Sequence, residues 1–449
     1  TSHAKTKSER QIHTRNATLR NLFESFKRPP LKEKPVANYK FGINEPPHKR
    51  WPVAWYNPAV LFRSAVEMIS TGNQLRNLDK RELFQKEFEI IDLSKNDLDA
   101  EFWWDFMSDS GDGGNASYTI ARAMQEHHLK IEDGDIAVDI TPSQRGELLV
   151  LGGDLAYPGA SNEEYQYRFI EMWEASKSTG DQKRKVLAIP QNHDWFDNIS
   201  TFNRHFIGEF DRQFLDADTP QTRSYFAARL PQNWWILGLD FALVGDLDRE
   251  QLDIFLKLIE EDLTPEDNVI LLYPEPYWTR SLGDNARPGY PKRYQRFEDA
   301  LHEKGVRVRM HLAGDLHHYS RATATSGASL DYDDMLITCG SGGAFLHPTH
   351  AIRAWKEKVL DRSPETGAIT PDLQKRARVG IQDEKKKENQ RAYQYSKSYP
   401  GILKSWGLSW TNLWALFKPI SLAGIYSSTS KEQGWKSIIA QRLKETWDW

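Results

Sequence analysis

The sequence predicts an α/β fold, and two features of its pattern support this class. From about residue 85 onward, short apolar runs alternate with longer amphipathic stretches. The apolar runs end at small or acidic residues, which is typical of the point where the chain leaves a buried strand. Strands that alternate with helices favour sheets with both faces covered. We therefore expect polar side chains to gather at the carboxyl ends of the strands, where ligands bind in such folds.

The elements follow in order from this pattern. A helix is expected over residues 58–77, where Val60, Leu61 and Val66 recur at helical spacing. A strand-like run from Phe102 breaks into an acidic, glycine-rich loop, and a crossover helix is expected over residues 163–178. The remaining strands are predicted at residues 148–151, 186–189, 234–239, 269–272 and 306–312.

Charge divides the chain into three regions. The net charge of -4 comes from 59 Lys+Arg and 63 Asp+Glu residues. Residues 1–50 hold 12 basic and 4 acidic residues, and residues 351–449 hold 18 and 10, so each end carries +8 and residues 51–350 carry -20. We predict a basic N-terminal arm with a helical segment (1–84), an α/β domain (85–350) and a basic, Trp-rich helical extension (351–449).

Composition excludes several classes of protein. An aromatic content of 12% is too high for a chain that stays disordered throughout. With Cys339 as its single cysteine, the chain has no intramolecular disulfide and no cysteine zinc cluster, which fits a reducing, cytoplasmic location. No window reaches the roughly 18 apolar residues of a membrane span, and the first twenty residues do not resemble a secretory signal. We expect a cytoplasmic protein, either soluble or peripherally associated with a membrane.

Five segments carry residues suited to metal chemistry. Carboxylate, amide and imidazole groups together can hold one or two divalent ions, and two ions about 3.5–4 Å apart suit phosphoryl displacement by an activated water. Glycines beside the carboxylates allow the backbone to approach an ion closely. Any one of these segments alone would be a weak signal. The segments are residues 102–115, 152–159, 192–194, 273–276 and 314–321.

Taken in order, these segments resemble the signature of the calcineurin-like metallophosphoesterase superfamily. The chain is most similar to the purple acid phosphatase-like branch, since Asp154 and Tyr157 have its Asp-x-x-Tyr spacing and residues 317–321 match its His-x-Tyr-x-Arg motif. The resemblance covers about residues 102–350. It implies a two-sheet β-sandwich flanked by helices, and hydrolysis of a phosphomonoester or phosphodiester by a metal-activated water.

The resemblance also implies roles for individual residues. Asp154 would bridge two metals, and Asp109, His317 and Tyr157 would bind the first. Asp112 is a second candidate in the same loop, but Asp109 lies nearer the strand end. Asn192 would bind the second metal. The remaining roles concern the substrate. His193 would stabilise or protonate the leaving group, and Asp194 would hold the imidazole ring of His193. His318 and Arg321 would contact the phosphate.

Three positions depart from the family pattern. Gln191 replaces the glycine before Asn-His-Asp, Glu275 is the nearest ligand at the motif that carries a lone histidine, and Asp315 replaces the first histidine of Gly-His-x-His. Oxygen-rich ligands favour Mn or Fe ions, divalent or trivalent, over Zn, and Mg is also compatible. A weak or vacant second site agrees equally with the pattern, so a degenerate metal-binding or scaffolding protein remains the alternative.

The C-terminal region suggests a partner of another kind. Trp406, Trp410 and Trp414 recur every fourth residue and so share one helical face. Indole rings together with basic charge are typical of a helix that lies on an anionic membrane, although the stripe could equally pack on the domain. The partners we expect are a phosphorylated substrate and an anionic membrane surface. The acidic predicted site and the lack of a recognised binding motif disfavour nucleic acid.

Overall fold

The computed structural model describes twelve parts of the chain. They are residues 53, 55, 58–75, 87–94, 101–129, 143–177, 184–207, 217–242, 245–278, 291–324, 335–349 and 393–417. The predicted basic arm at residues 1–50 and the charge-dense stretch at residues 383–391 lie outside the described residues, as does the side chain of Trp414. No helix in the described parts is long and apolar enough to cross a membrane.

Eight α-helices are labelled along the described chain. The first agrees with the helix expected over residues 58–77. The crossover helix expected over residues 163–178 forms as α3, a π-helical turn at Gln166–Ile170, and α4. The helices are α1 (Pro58–Leu75), α2 (Gly114–Gln125), α3 (Asn162–Tyr165), α4 (Glu171–Ser176), α5 (Ser200–Phe206), α6 (Arg249–Glu261), α7 (Lys292–Glu303) and α8 (Ile402–Phe417).

The five apolar runs at residues 148–312 form strands at the predicted places, with bounds that differ by at most one residue at either end. They correspond to β5, β6, β8, β9 and β10. The strands are β1 (Ile91–Asp92), β2 (Trp104–Met107), β3 (His128–Leu129), β4 (Ser143–Gln144), β5 (Leu148–Leu151), β6 (Lys185–Ala188), β7 (Phe226–Leu230), β8 (Trp234–Gly238), β9 (Asn268–Tyr273), β10 (Arg307–Ala313), β11 (Tyr319–Ala324), β12 (Met335–Cys339) and β13 (Tyr393–Tyr399).

The strands form one large sheet and two small ones. The large sheet has the order β1-β7-β8-β9-β10-β12-β11-β13, in which β8, β9, β10 and β12 run parallel. The antiparallel edge strand β13 comes from the predicted C-terminal extension and pairs with β11. The second sheet, β2-β5-β6, is wholly parallel, and β3 and β4 pair with each other. The chain is therefore a mixed α/β protein, as the alternating pattern predicted.

Alternate residues of the central strands enter different clusters of buried side chains. In β5, Leu149 and Leu151 lie in a cluster with helical residues such as Phe202 of α5. Leu148 and Val150 of the same strand lie in a cluster that also contains residues of the large sheet. The opposite face of the large sheet packs on α6 and α7. Strand β5 is buried on both faces, which agrees with its continuously apolar sequence. The loop that follows β5 therefore begins deep in the protein.

Candidate metal centre

Three strands are each followed, within three residues, by an aspartate in a left-handed backbone conformation. Asp109 follows β2 with φ 59°, Asp154 follows β5 with φ 53°, and Asp315 follows β10 with φ 66°. This conformation is uncommon for residues other than glycine, and Asp and Asn tolerate it best. The sharp turn directs the chain back at the carboxyl end of each strand. Two sheets therefore contribute acidic residues to one place.

The centre of this candidate site is formed by Asp109, Asp154 and His317. Each offers one ligand atom, and the three atoms lie within 4.8 Å of one another. The Tyr157 hydroxyl lies 3.0 Å from Asp154 Oδ2, 3.1 Å from His317 Nε2 and 3.4 Å from Asp109 Oδ1. All four side chains are buried. The structure thus brings together Asp154, which was predicted to bridge two metals, and the three residues predicted to bind the first metal.

Close packing fixes the carboxylate of Asp109. The Ser108 hydroxyl lies 2.5 Å from Asp109 Oδ2, and the Asp315 backbone N–H donates to the same oxygen over 3.1 Å. A Cβ added at Gly314 or Gly340 would come within 2.6 or 2.9 Å of Asp109 Oδ2. Both glycines are therefore required by the close approach of the backbone to this carboxylate.

Asp194 holds the loops of β5 and β6 together. Its Oδ2 accepts hydrogen bonds from the backbone N–H groups of Asp154 (2.6 Å) and Gln191 (2.9 Å). Its Oδ1 accepts from the Leu155 N–H (3.2 Å) and from the Tyr165 hydroxyl (2.6 Å). Four donors thus converge on one buried carboxylate, which positions Asp154 through its backbone.

The imidazole of His193 is held by a carbonyl group. Its Nδ1 lies 2.9 Å from the Pro158 carbonyl oxygen, and since a carbonyl only accepts, Nδ1 carries the proton. The backbone N–H of His193 donates to Asp154 Oδ1 over 3.0 Å. The role implied for Asp194, holding this ring, is thus taken by Pro158, because the Asp194 oxygens are engaged by other donors. Nε2 of His193 remains the acceptor atom.

His317 is oriented in the same way. Its Nδ1 lies 2.9 Å from the Phe345 carbonyl oxygen, so Nε2 carries the lone pair and lies 3.6 Å from Asp109 Oδ1. The ring of His347 stacks on His317 at 4.5 Å, and its Nδ1 accepts from the His317 backbone N–H over 3.0 Å. Such outer contacts fix the ring and the tautomer of a metal ligand.

Asp112 lies in the same loop as Asp109 but outside the group of three. Its Oδ1 accepts a hydrogen bond from Trp55 Nε1 over 2.7 Å, and its Oδ2 accepts from the Phe345 N–H over 2.9 Å. The Arg168 guanidinium donates to the Asp112 carbonyl oxygen over 2.7 Å. Of the two candidates in this loop, Asp109 is the one placed beside Asp154, and Asp112 links distant segments.

Three further residues, Asn192, Glu275 and Asp315, are expected at a second metal. Asp315 reaches Asp109 through its backbone N–H. The Oδ1 of Asn192 accepts from the His193 N–H over 2.9 Å, and Glu275 is half-buried after β9. Neither Glu275 nor Asp315 belongs to the group of three ligand atoms formed by described residues.

The two residues expected to contact phosphate lie apart from the group of three. His318 is buried, and in the described part of the chain neither of its ring nitrogens has a hydrogen-bond partner. Arg321 lies on β11 and donates from Nε to Ser396 Oγ on β13 over 3.0 Å. Both roles remain predictions from the motif.

Burial makes neutral forms of these groups favourable. It raises the pKa of Asp109 to about 8, with a further increase from the charge of Asp315, and it raises that of Asp154 well above its usual value. Burial also raises the pKa of Asp194 to about 6, and it lowers that of His193 to about 4 and that of His317 to about 3. Buried carboxylates close together repel each other when both are ionised.

A cation fits this arrangement. It would offset the repulsion between the Asp109 and Asp154 carboxylates, and a neutral imidazole presents a lone pair from His317 Nε2. The mixed set of two carboxylates and one imidazole suits Mn, Fe, Mg or Zn ions. The geometry therefore supports a metal centre at these three residues.

Several residues of this place carry no signal that sequence reasoning could use. Trp55 lies in the predicted arm, and its ring approaches those of Tyr157 and His193 at 5.4 and 5.9 Å. Tyr165 reaches Asp194 from a helix, where an aromatic residue is ordinary. His347 follows a glycine-rich stretch after β12, which was the one available hint that it lines the same cleft.

Comparison with known proteins gives structural matches only. The structure is similar to a purple acid phosphatase from yellow lupin (Lupinus luteus) seeds, with 14% identity and a TM-score of 0.31 over 54% of this chain and 44% of that one. It is also similar to PhoD, with 12% identity and a TM-score of 0.33 over 54% of this chain and 56% of that one. The matched part thus spans about half the length of each solved chain. No protein-family model and no curated protein matches the chain.

Proposed function

We propose that this protein is a metal-dependent phosphoesterase that hydrolyses a phosphomonoester or phosphodiester. One observation carries the proposal: Asp109, Asp154 and His317, the residues that the motifs implied for one metal position, lie with their ligand atoms within 4.8 Å of one another. They come from three distant segments of the chain. The order of the motifs along the chain does not by itself require that these residues lie together. Burying three ionisable groups without a compensating charge also costs free energy of folding.

Asp109, Asp154 and His317 would hold the first metal, with the Tyr157 hydroxyl beside them. The bound metal would supply a Lewis acid and a water with a pKa near neutral. Asn192, Glu275 and Asp315 would hold a second ion together with Asp154, which is the finer, dinuclear form of the proposal. Because these three groups are oxygen donors, we propose Mn or Fe rather than Zn. Residues of both sheets share one buried cluster, which supports the two-sheet arrangement implied for this family.

His193 is the residue we propose for proton transfer. Its Nδ1 proton is engaged with Pro158, so only Nε2 can exchange a proton with a bound ester. Burial lowers the pKa of His193 to about 4, so Nε2 accepts rather than donates in the free protein at neutral pH. The negative charge of a phosphate group favours the protonated ring. Protonation of the leaving group by His193 therefore depends on the substrate being in place.

The second candidate is a metal-binding protein without turnover. The specific observation in its favour is that Asp315 and Glu275 stand outside the group of three ligand atoms formed by described residues. In that case the first metal would bind and the ester would not be hydrolysed. Metal analysis and turnover assays together separate the two candidates.

The test uses the full chain loaded in turn with Mn²⁺, Fe²⁺ and Mg²⁺ and assayed on a monoester and a diester. We expect Asp154→Asn to lower metal affinity and turnover by more than about 100-fold, since loss of a supporting residue alone costs 10–100-fold. Asp218→Asn, at an exposed pair with Lys185, is the matched control. A folded, metal-loaded protein that hydrolyses neither ester with any of these ions would refute the enzyme.

A further inference from the structure

Two aromatic rings lie beside the candidate metal centre. The Phe345 ring lies 4.6 Å from the ring of His317, and the Trp55 ring lies 5.9 Å from the ring of His193. The two rings approach each other at 5.7 Å with their planes at 64°. They therefore form a continuous apolar wall that runs from a metal ligand to the proposed proton-transfer residue.

Asp112 fixes this wall at both of its members. One carboxylate oxygen accepts from Trp55 Nε1, and the other accepts from the backbone N–H of Phe345. Asp112 is itself buried, and burial raises its pKa to about 6, while the hydrogen bonds from Trp55 and Phe345 and the charge of Arg168 act in the opposite direction. A wall held in this way loses little conformational freedom on binding a ligand, and such preorganisation favours affinity.

Phe345 is exposed although the groups behind it are buried. Its side chain is 44% exposed, whereas His317 and Tyr157 are almost inaccessible. An aromatic ring left open beside a polar site is available to contact a bound molecule. An organic group attached to a phosphate held near His317 would meet this ring first.

We propose that Trp55 and Phe345 form the binding wall for the organic part of the ester, and that they select a planar aromatic group, such as an aryl or nucleoside group, over a small alkyl group. This inference rests on the proposed phosphoester site. It assigns a specificity role to Trp55, a residue of the N-terminal arm. Asp112 is then a positioning residue for the wall.

The test compares binding of phenylphosphonate and methylphosphonate to the Mn²⁺-loaded full chain by titration calorimetry. Neither compound is hydrolysed, so affinity is measured independently of turnover. We expect the parent to prefer phenylphosphonate, and Phe345→Ala to weaken its binding about 5- to 10-fold while methylphosphonate changes less than twofold. Trp55→Phe, which keeps a ring but loses the donor to Asp112, should weaken phenylphosphonate by a smaller factor.

Phe62→Ala is the matched control, because Phe62 is 53% exposed on α1. It should change neither affinity. Equal loss for both phosphonates, unchanged affinity in Phe345→Ala, or no binding by the parent would overturn the wall. If the unmodified protein prefers phenylphosphonate but hydrolyses no ester, the binding wall is supported and only the proposed phosphoesterase activity is refuted.

The exposed face of α8 carries a second inference independently. Leu403, Trp406 and Trp410 are 85%, 52% and 61% exposed, and their spacing of three and four residues places them on one face. Ser405 on the other side is buried and accepts a hydrogen bond from the Thr349 N–H over 2.7 Å. The helix is thus fixed to the domain by one face and presents apolar side chains on another.

Charge and composition favour a lipid surface as the occupant of this face. Residues 393–417 contain two lysines, Lys397 and Lys404, and no Asp or Glu. Both lysines are exposed. Tryptophan is enriched where a protein meets the headgroup region, and lysine is attracted to anionic lipid. We propose that α8 lies flat on an anionic bilayer, with Leu403, Trp406 and Trp410 inserted at the interface.

Co-sedimentation of the full chain with phosphatidylcholine vesicles, with and without phosphatidylserine, tests this surface. We expect binding that requires phosphatidylserine, weakens at high salt and falls about tenfold or more in a Trp406→Ala/Trp410→Ala variant. Leu61→Ala/Ile69→Ala on the exposed face of α1 is the matched control and should bind as the parent does. Absence of binding by the parent overturns the proposal, as does a self-association in light scattering that the same tryptophan substitutions abolish.

Discussion

The two sheets contribute unequal halves to the candidate metal centre. The loops after β2, β5 and β6 in the small sheet carry Asp109, Asp154 and Asp194, whose oxygens accept hydrogen bonds from nearby backbone N–H groups. The loops after β9 and β10 in the large sheet carry Glu275 and Asp315, which lie outside the group of ligand atoms. Only His317 of the large sheet joins that group. The described residues therefore form one candidate cation position, and a second position stays a proposal.

This difference shows what holds a buried acidic site in place. In the small sheet, backbone donors fix the carboxylates before any ion arrives, and the cost is a set of acids whose pKa values are raised by burial. On the large-sheet side, Glu275 and Asp315, two of the three positions that depart from the motif pattern, lie outside the group of three ligand atoms formed by described residues. The experiments below change one half at a time.

The largest effect on stability is expected from Asp194→Asn. An amide offers one acceptor oxygen, so two of the four donors around Asp194 would face an NH₂ group. Two buried donors without partners cost about 2–4 kcal/mol in the free energy of unfolding. Urea unfolding of the metal-free protein measures this loss. Asp218→Asn at the surface should cost less than about 1 kcal/mol, and a similar loss in both variants would contradict the argument.

An intermediate effect is expected from pH. Burial raises the pKa of Asp109 to about 8, while an aspartate in the unfolded chain ionises near pH 4. Between these values the folded state holds a proton that the unfolded state has released, so this group stabilises the fold at low pH and the stability is lost as pH rises toward 8. Buried histidines make the free energy of unfolding rise with pH, but only below about pH 6.5, where histidines of the unfolded chain are protonated. From pH 7 to 8 we expect the metal-free protein to lose about 1 kcal/mol per proton.

Urea unfolding with a chelator at intervals between pH 7 and 8 measures this slope. Asp109→Asn should reduce this slope, because one of the carboxyls with a raised pKa is then absent. Saturating Mn²⁺ should also remove it, since a bound cation favours the ionised carboxylates. A metal-free parent whose stability rises over this interval would contradict the assignment of the proton to the small-sheet half.

The smallest effect is expected in the large-sheet half. Glu275→Gln should change the affinity for the first Mn²⁺ less than about threefold, because Glu275 is not among the three ligand atoms that hold it. Titration calorimetry of the full chain measures this affinity beside that of Asp154→Asn. A loss of tenfold or more in Glu275→Gln would place Glu275 on the first ion and would remove the distinction between the halves.

The parts of the fold that sequence could predict are those fixed by local pattern. The apolar runs of β5, β6 and β9 are continuous because both faces are buried, and each is followed within three residues by a polar residue. Asp154 and His317 could be singled out because each lies in a motif segment that follows an apolar run. Their proximity depends on how the two sheets pack on each other, since Asp154 follows β5 of the small sheet and His317 follows β10 of the large sheet.

The parts that sequence could not predict depend on contacts between distant residues. Asp112 resembles a metal ligand as well as Asp109 does, and what separates them is a pair of hydrogen bonds to Trp55 and Phe345, 57 and 233 positions away. Strand β13 at Tyr393–Tyr399 lies in a region whose composition indicated a helical extension, and pairing with β11 makes it a strand. Tertiary context decides such cases.

The left-handed aspartates bear on how other sequences of this kind can be compared. At Asp109, Asp154 and Asp315 the backbone itself favours Asp, Asn or Gly, whatever the chemistry requires. A lineage that lost its catalyst would therefore keep Asn or Gly at these positions and would rarely show Val or Ile. Retained aspartate at positions 109 and 154, where Asn or Gly would fold as well, is then a signature of selection for charge, and a survey of aligned relatives could test it.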